Sequence, residues 1–134
     1  MPLTTINTSQ VNTSSEIAIQ NSVGTWSAGQ RGEITALTSS ASITIDMANS
    51  NNFSVTLAHN TTFANPSNDT AGQSGSIFIT QDGTGSRTAS WGTDWEFAGG
   101  TAPTLTPTAA ASDRIDYVIR SGTSIQAVAT LALA

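Results

Sequence analysis

The sequence contains no cysteine and no lysine. Without cysteine there is no disulfide framework, no thiol redox chemistry and no cysteine-ligated zinc. Without lysine, all fixed positive charge rests on Arg31, Arg87, Arg114 and Arg120, against nine acidic side chains, for a net charge of -5. Binding a nucleic-acid duplex by neutralising phosphates needs clustered cations, and these four arginines form no cluster in the sequence. Nucleic acid is therefore not an expected partner, and neither is an anionic membrane surface. Charged residues make up only 10% of the chain, against about 25% in an ordinary globular domain. No apolar run approaches the ~18–20 residues of a membrane span. The opening MPLTTINTSQ lacks the basic and apolar regions of a secretory signal. Asn-x-Ser/Thr triplets at Asn7, Asn12, Asn52, Asn60 and Asn68 are the chance yield of a chain rich in those residues.

What is present is Ser, Thr, Asn, Gly and Ala, with apolar residues in short β-branched runs. Disorder usually couples low hydrophobicity to high net charge. Here the polar residues are uncharged, which favours a folded, Thr-rich β-protein. A length of 134 residues suits one domain with a modest core. The composition changes near Gly32. Residues 1–32 are polar, and only Ile17, Ile19, Val23 and Trp26 offer an apolar grip. This segment is expected to be an extended N-terminal arm, with those four residues as its contacts to another surface that orders it. Residues 33–134 are the expected folded domain.

From Glu33 onward the hydrophobic period is two, the signature of strands with one buried face. Ile43, Ile45 and Met47 share a face. So do Phe53, Val55 and Leu57, with Ser54 and Thr56 opposite. Ile77 and Ile79 alternate with Phe78, and Ile115, Tyr117 and Ile119 alternate with Asp116, Val118 and Arg120. Ile125, Ala127, Ala129 and Leu131 close the chain. The connection AHNTTFANPSNDTAGQSG reads as loop. Asp82-Gly83 carries the commonest hairpin signal, so SIFITQ and SRTASW are expected to pair. Seven or eight short strands at roughly ten-residue spacing predict an all-β fold, an antiparallel β-sandwich of jelly-roll-like form.

The stretch QDGTGSRTASWGTDWEFAGGTAPTL concentrates large residues around glycines. Its structural reading is a loop cap over the end of the core, built on Trp91, Trp95, Phe97, Pro103 and Leu105. Its functional reading is a glycan platform, with Trp91 and Trp95 stacking on sugar rings and Asp94 and Glu96 bonding hydroxyls. Asp94 with Glu96 is also the pair a carbohydrate-active enzyme would need in one cleft. Asp113 and Asp116 fall on opposite faces of a strand, which argues against a shared site. Arg114, Asp116 and Arg120 share a face and suggest a cross-strand or solvated ion pair. The single histidine, His59, sits at a strand end and suits a surface role. There is no nucleophile elbow, no phosphate loop and no dinucleotide fingerprint. No catalysis, cofactor or metal is expected.

Taken together, FSVTLAHNTTFANPSNDTAGQSGSIFITQDGTGSRTASW and FAGGTAPTLTPTAAASDRIDYVIRSGTSI resemble a β-domain recurrent in virion proteins of tailed bacteriophages. Such domains occur in tail fibres and in small accessory structural proteins. The resemblance runs from about Glu33 to Leu133. It implies a non-catalytic building block of trimers or larger symmetric assemblies, with Gln81–Gly85 and Gly99–Leu105 as scaffold elements. The chain shows no shaft or collagen-like repeat upstream. That departure favours a capsid decoration (cement) protein, made in the host cytoplasm and seated on the capsid exterior. Its partner would be the major capsid protein, and a homotrimer its assembly. The alternative is a tail-fibre or receptor-binding module that recognises a host surface glycan.

Overall fold

The computed structural model describes Gly29 and residues 31–133. Nine strands follow in order: β1 Ile34–Ala36, β2 Ser42–Ile43, β3 Asn52–Leu57, β4 Thr61–Phe63, β5 Ser74–Gln81, β6 Ala89–Trp91, β7 Trp95–Phe97, β8 Ser112–Ser121 and β9 Ser124–Leu133. Six form one sheet in the order β1-β3-β5-β8-β9-β7, and three form a second in the order β2-β4-β6. The all-β expectation is met. The antiparallel jelly-roll arrangement is not what these residues adopt, because five of the seven strand ladders are parallel.

The reason lies in how the chain returns. Parallel neighbours need a crossover between them, and in the four parallel ladders from β1 to β6 each crossover is itself a strand of the other sheet. From β1 to β6 the chain alternates between the two sheets, so each coil lies parallel on the one before. Registered side chains then stack in inward columns. Thr35, Phe53 and Ile77 align in the larger sheet. Ile43, Phe63 and Trp91 align in the smaller. A bridge between Asp46 and Ser67 ties successive coils at a third place, where the Ser67 N–H donates to Ile45 O and the Met47 N–H to Ser67 O, both at 2.9 Å. Only β8 and β9 form a hairpin, and β8 closes antiparallel on β5.

The period-two reading located the core. Ile43, Ile45, Met47, Phe53, Val55, Leu57, Ile77, Ile79, Ile115, Tyr117, Ile119, Ile125 and Ala127 are all buried in one cluster shared by both sheets. Two expectations need correction. The connection after Leu57 contains β4, whose Thr61 and Phe63 point into the core; three residues are too few to display a period. The Asp82-Gly83 turn does not join a hairpin. Both edges of β5 are already occupied, by β3 and β8, so the chain must leave the sheet and cross to β6 in the other one.

The crossing is held by side chains. Asp82 Oδ1 accepts the Thr84 and Gly85 amides at 3.0 and 2.9 Å, and Asp82 Oδ2 accepts Arg87 Nη2 at 2.7 Å. The buried Gln81 amide reproduces a ladder step: it donates to Arg87 O at 2.9 Å and accepts the Arg87 N–H at 2.8 Å. The Arg87 side chain, and after it the Gly85 amide, hold the Asp82 carboxyl below its usual value of 3.8. The folded form therefore binds this proton less readily than the unfolded chain. The stabilisation is complete above the unfolded value and is lost as pH falls through the lower folded one. Asp82→Asn should lower the urea midpoint at about pH 7, and its gap to wild type should be narrower at a pH below 3.8. A gap unchanged between the two pH values would assign the effect to shape rather than charge.

Candidate functional site

The two sheets meet at an aromatic cluster where β6 turns into β7. Trp91 ends β6 and stacks on Phe63 of β4, with ring centroids 4.7 Å apart and planes 18° from parallel. It also meets Trp95 and Phe97 edge-on, at 5.0 and 5.1 Å. Trp95 continues the contact to Tyr117 of β8 at 6.2 Å. Offset and edge-to-face pairs of this kind are each worth about 0.5–1.5 kcal/mol beyond area burial. The cluster therefore fastens the last coil to the hairpin sheet.

The turn between the tryptophans is clamped by Asn65. Its Oδ1 accepts the Asp94 N–H at 3.0 Å and its Nδ2 donates to Thr93 Oγ1 at 3.0 Å. Gly92 makes the clamp possible: a Cβ there would lie 2.1 Å from Asn65 Oδ1 and 2.6 Å from Asn65 N. The Asp94 carbonyl accepts the Ile125 N–H at 2.8 Å, which docks the turn on β9.

The candidate residues separate into two roles. Trp95 is only 6% exposed, and its Nε1–H donates to Ala64 O at 3.2 Å. It is a core residue, as is Leu105. Trp91 is half-buried, and its buried Nε1 has no hydrogen-bond partner among the described residues. Beside it lies a hollow of about 460 Å³, lined by Ser90, Trp91, Phe97, Gly100 and Ala102 among others. Behind β7 a second hollow of about 550 Å³ opens on the outer face of the sheet, lined by Glu96, Asp116, Val118, Gln126 and Val128.

Glu96 and Phe97 border both hollows, whereas Asp94 borders neither. The expected carboxylate pair is therefore not brought into one cleft. Trp91, Trp95 and Phe97 all line the hollow beside β6; Trp95 is 6% exposed and held by Trp91, Tyr117 and the Ala64 carbonyl, so the half-buried Trp91 and Phe97 carry most of the accessible ring surface. Asp113 is buried and Asp116 half-exposed, so they occupy opposite faces as the alternation requires. Arg114 pairs with Asp116 at 2.9 Å. His59 lies exposed at the end of β3, within 3.3 Å of Ser39 Oγ. Among the described residues no group of three His, Cys, Asp or Glu could hold a metal ion. The arm contacts Ile17, Ile19, Val23 and Trp26 lie outside the described residues. Reading the sequence missed Phe63 and Asn65. Their only signal was the Asn-Pro pair at Asn65-Pro66, which marks a turn without saying what the asparagine binds.

The family described as "Putative phage tail fibre C-terminal domain" matches residues 38–112, more than half of the chain. The match spans β2 to the start of β8 and includes the Asp82 corner and Phe63, Trp91, Trp95 and Phe97 of the aromatic cluster. No curated protein and no solved structure matches the chain.

Proposed function

The chain belongs to the phage tail fibre C-terminal domain family, and we propose that it is a tail-fibre module that presents the Trp91–Phe97 hollow to a glycan of the host surface. As a member of that family it is a phage virion structural protein. The family favours a position on the tail over the capsid exterior, and the host surface over the major capsid protein as partner. Electron microscopy of virions with antibody against this chain should label tail fibres. Labelling of the head would return the protein to a decoration role.

The observation that supports glycan binding is a mostly apolar hollow floored by aromatic rings at a polar surface. The hydrophobic face of a pyranose stacks on such a ring, while Ser90 and Glu96 on the rim can bond its hydroxyls. Ala102 is exposed and lines the hollow, so Ala102→Trp fills it without removing any core contact. On an array of bacterial surface polysaccharides the wild-type chain should bind at least one. Ala102→Trp should weaken that binding roughly tenfold or more, a loss of about 1.4 kcal/mol. Equal binding by the variant would move the site elsewhere, and no binding by wild type would sink the receptor reading.

A further inference from the structure

On the reading of the Trp91–Phe97 hollow as a glycan site, we infer that the site is a two-part groove along β6, whose second part selects a neutral, N-acylated amino sugar. β6 is the outer strand of the smaller sheet. The hollow at Trp91 lies along β6 itself. A further hollow of about 440 Å³ begins at Ala89 and extends back over Arg87 and Ser86. Ala89 and Ala102 line both hollows, so the two are continuous. Pro103, Leu105 and Pro107 line the second hollow from the far side. The Ser86 N–H closes its end by donating to Pro107 O at 2.7 Å. Each hollow has the volume that small ligands fill, and their near-equal size suits consecutive rings of one oligosaccharide. Trp91 and Arg87, which mark the two parts, are separated by at most roughly 14 Å of chain.

The chemistry differs between the parts. Trp91, Trp95 and Phe97 line the first. The second has no aromatic side chain; Ala89, Ala102, Pro103, Leu105 and Pro107 line it, together with Arg87. A pyranose face has no ring to stack on there. It meets an aliphatic wall and a guanidinium donor instead. An acetamido substituent complements both: its methyl packs on the wall, and its carbonyl oxygen accepts from the guanidinium.

Charge disfavours the nearest alternatives. Arg87 Nε and Nη2 both donate to Asp82 Oδ2, at 3.1 and 2.7 Å. The guanidinium charge is thus balanced within the fold, while Nη1 makes no hydrogen bond among the described residues. A balanced guanidinium still donates to a neutral carbonyl but attracts a carboxylate weakly. Glu96 at the first hollow and the net charge of -5 oppose an anion further. A free amino sugar would set its ammonium against the apolar wall and beside Arg87, since Asp82 does not line the hollow. A hydroxyl alone leaves the wall uncovered.

Calorimetric titration with matched disaccharides tests this. The second ring is N-acetylglucosamine or N-acetylgalactosamine, or the hydroxyl, amine or uronate counterpart of either. The wild type should bind an N-acetylated member roughly tenfold or more tighter than its counterparts. Thr104 is exposed and lines the second hollow but not the first, so Thr104→Trp fills the second alone. It should erase the preference, the N-acetylated member losing far more affinity than the hydroxyl one. Arg87→Lys keeps a cation for Asp82 but removes the forked donor, and should cut the preference roughly threefold. Circular dichroism of both variants should match wild type. Equal wild-type affinity for N-acetylated and hydroxyl members, tightest binding of a uronate, or a preference that Thr104→Trp leaves intact would each overturn the assignment while the glycan reading stands. Polysaccharide binding that does not depend on N-acylated sugars would likewise overturn it alone. No binding to any disaccharide or polysaccharide would overturn the glycan reading and this assignment together.

Discussion

Replacing Gly75 by alanine is expected to lower the thermal midpoint of the domain by roughly 12 °C or more. Gly75 lies at the start of β5, opposite Tyr117 of β8. A Cβ at this position would stand 1.6 Å from the carbonyl oxygen of Asn51 and 2.6 Å from its carbon. Those are backbone atoms, so no side-chain rotation relieves the overlap. The same carbonyl accepts the Ser76 N–H at 3.2 Å and the Tyr117 hydroxyl at 2.7 Å. Alanine must push Asn51 away by more than 1 Å and loosen both bonds. Tyr117, whose hydroxyl is pushed up to about 12 by burial, would lose the partner that satisfies it. Overpacking of a tight core typically costs about 1–3 kcal/mol. A contact this short with backbone belongs at the top of that range. For a domain of about 100 residues each kcal/mol moves the midpoint by roughly 4–8 °C. Gly83→Ala is the control, since nothing lies within 4 Å of a Cβ there, and its effect should stay within about 0.5 kcal/mol. Equal midpoints for the two variants would mean that the close approach at Asn51 is not what fixes β5 on β3.

Gly75 also shows where the sequence stops informing. It reads as one more turn glycine before a strand, yet its role is a close backbone approach between segments 24 residues apart. The faces of the strands were legible because burial on one side of a strand imposes a period of two. Hence Phe53, Val55 and Leu57, and Ile115, Tyr117 and Ile119, could be placed inward before any coordinates. Strand partners were not legible. A residue's neighbours across a ladder leave no mark on its own alternation, so parallel winding and antiparallel pairing produce the same pattern. The turn signal at Asp82 misled for that reason: Asp-Gly favours a tight turn, but the occupied edges of β5 decide where the chain goes next. At the candidate site, the concentration of Trp91, Trp95 and Phe97 around glycines did announce an aromatic cluster. Which ring remains accessible depends on Phe63 and Tyr117, which lie 28 positions before Trp91 and 22 after Trp95 in sequence.

Asp113→Ala should cost about 3 kcal/mol, and Asp113→Asn much less. Asp113 is 2% exposed, and among the described residues no arginine bridges it. A buried carboxylate without a cation must be held by donors. Oδ2 accepts the Thr106 N–H at 2.7 Å, and Oδ1 accepts the Thr106 hydroxyl at 2.7 Å and the Ala132 N–H at 2.9 Å. The last bond explains an irregularity. The β8–β9 register shifts between Ser112 and Arg114, and Ala132 takes a φ of 56°, the geometry of a bulge. The carboxylate fills the gap that the bulge opens and ties β8, the Thr106 loop and the end of β9 to one point. Alanine orphans the Thr106 amide and leaves Ala132 only its 3.0 Å bond to Thr106 Oγ1. Asparagine keeps one oxygen for the Thr106 amide, and the Thr106 hydroxyl can reverse to accept from the new NH₂. Unfolding free energies of the two variants from urea titration should therefore differ by about 2 kcal/mol. Amide exchange should localise the damage, with Thr106 and Ala132 losing protection in the alanine variant and core amides such as Ile77 following only the global loss. Equal cost for the two substitutions would show that the negative charge itself, rather than the geometry of its acceptors, holds the bulge.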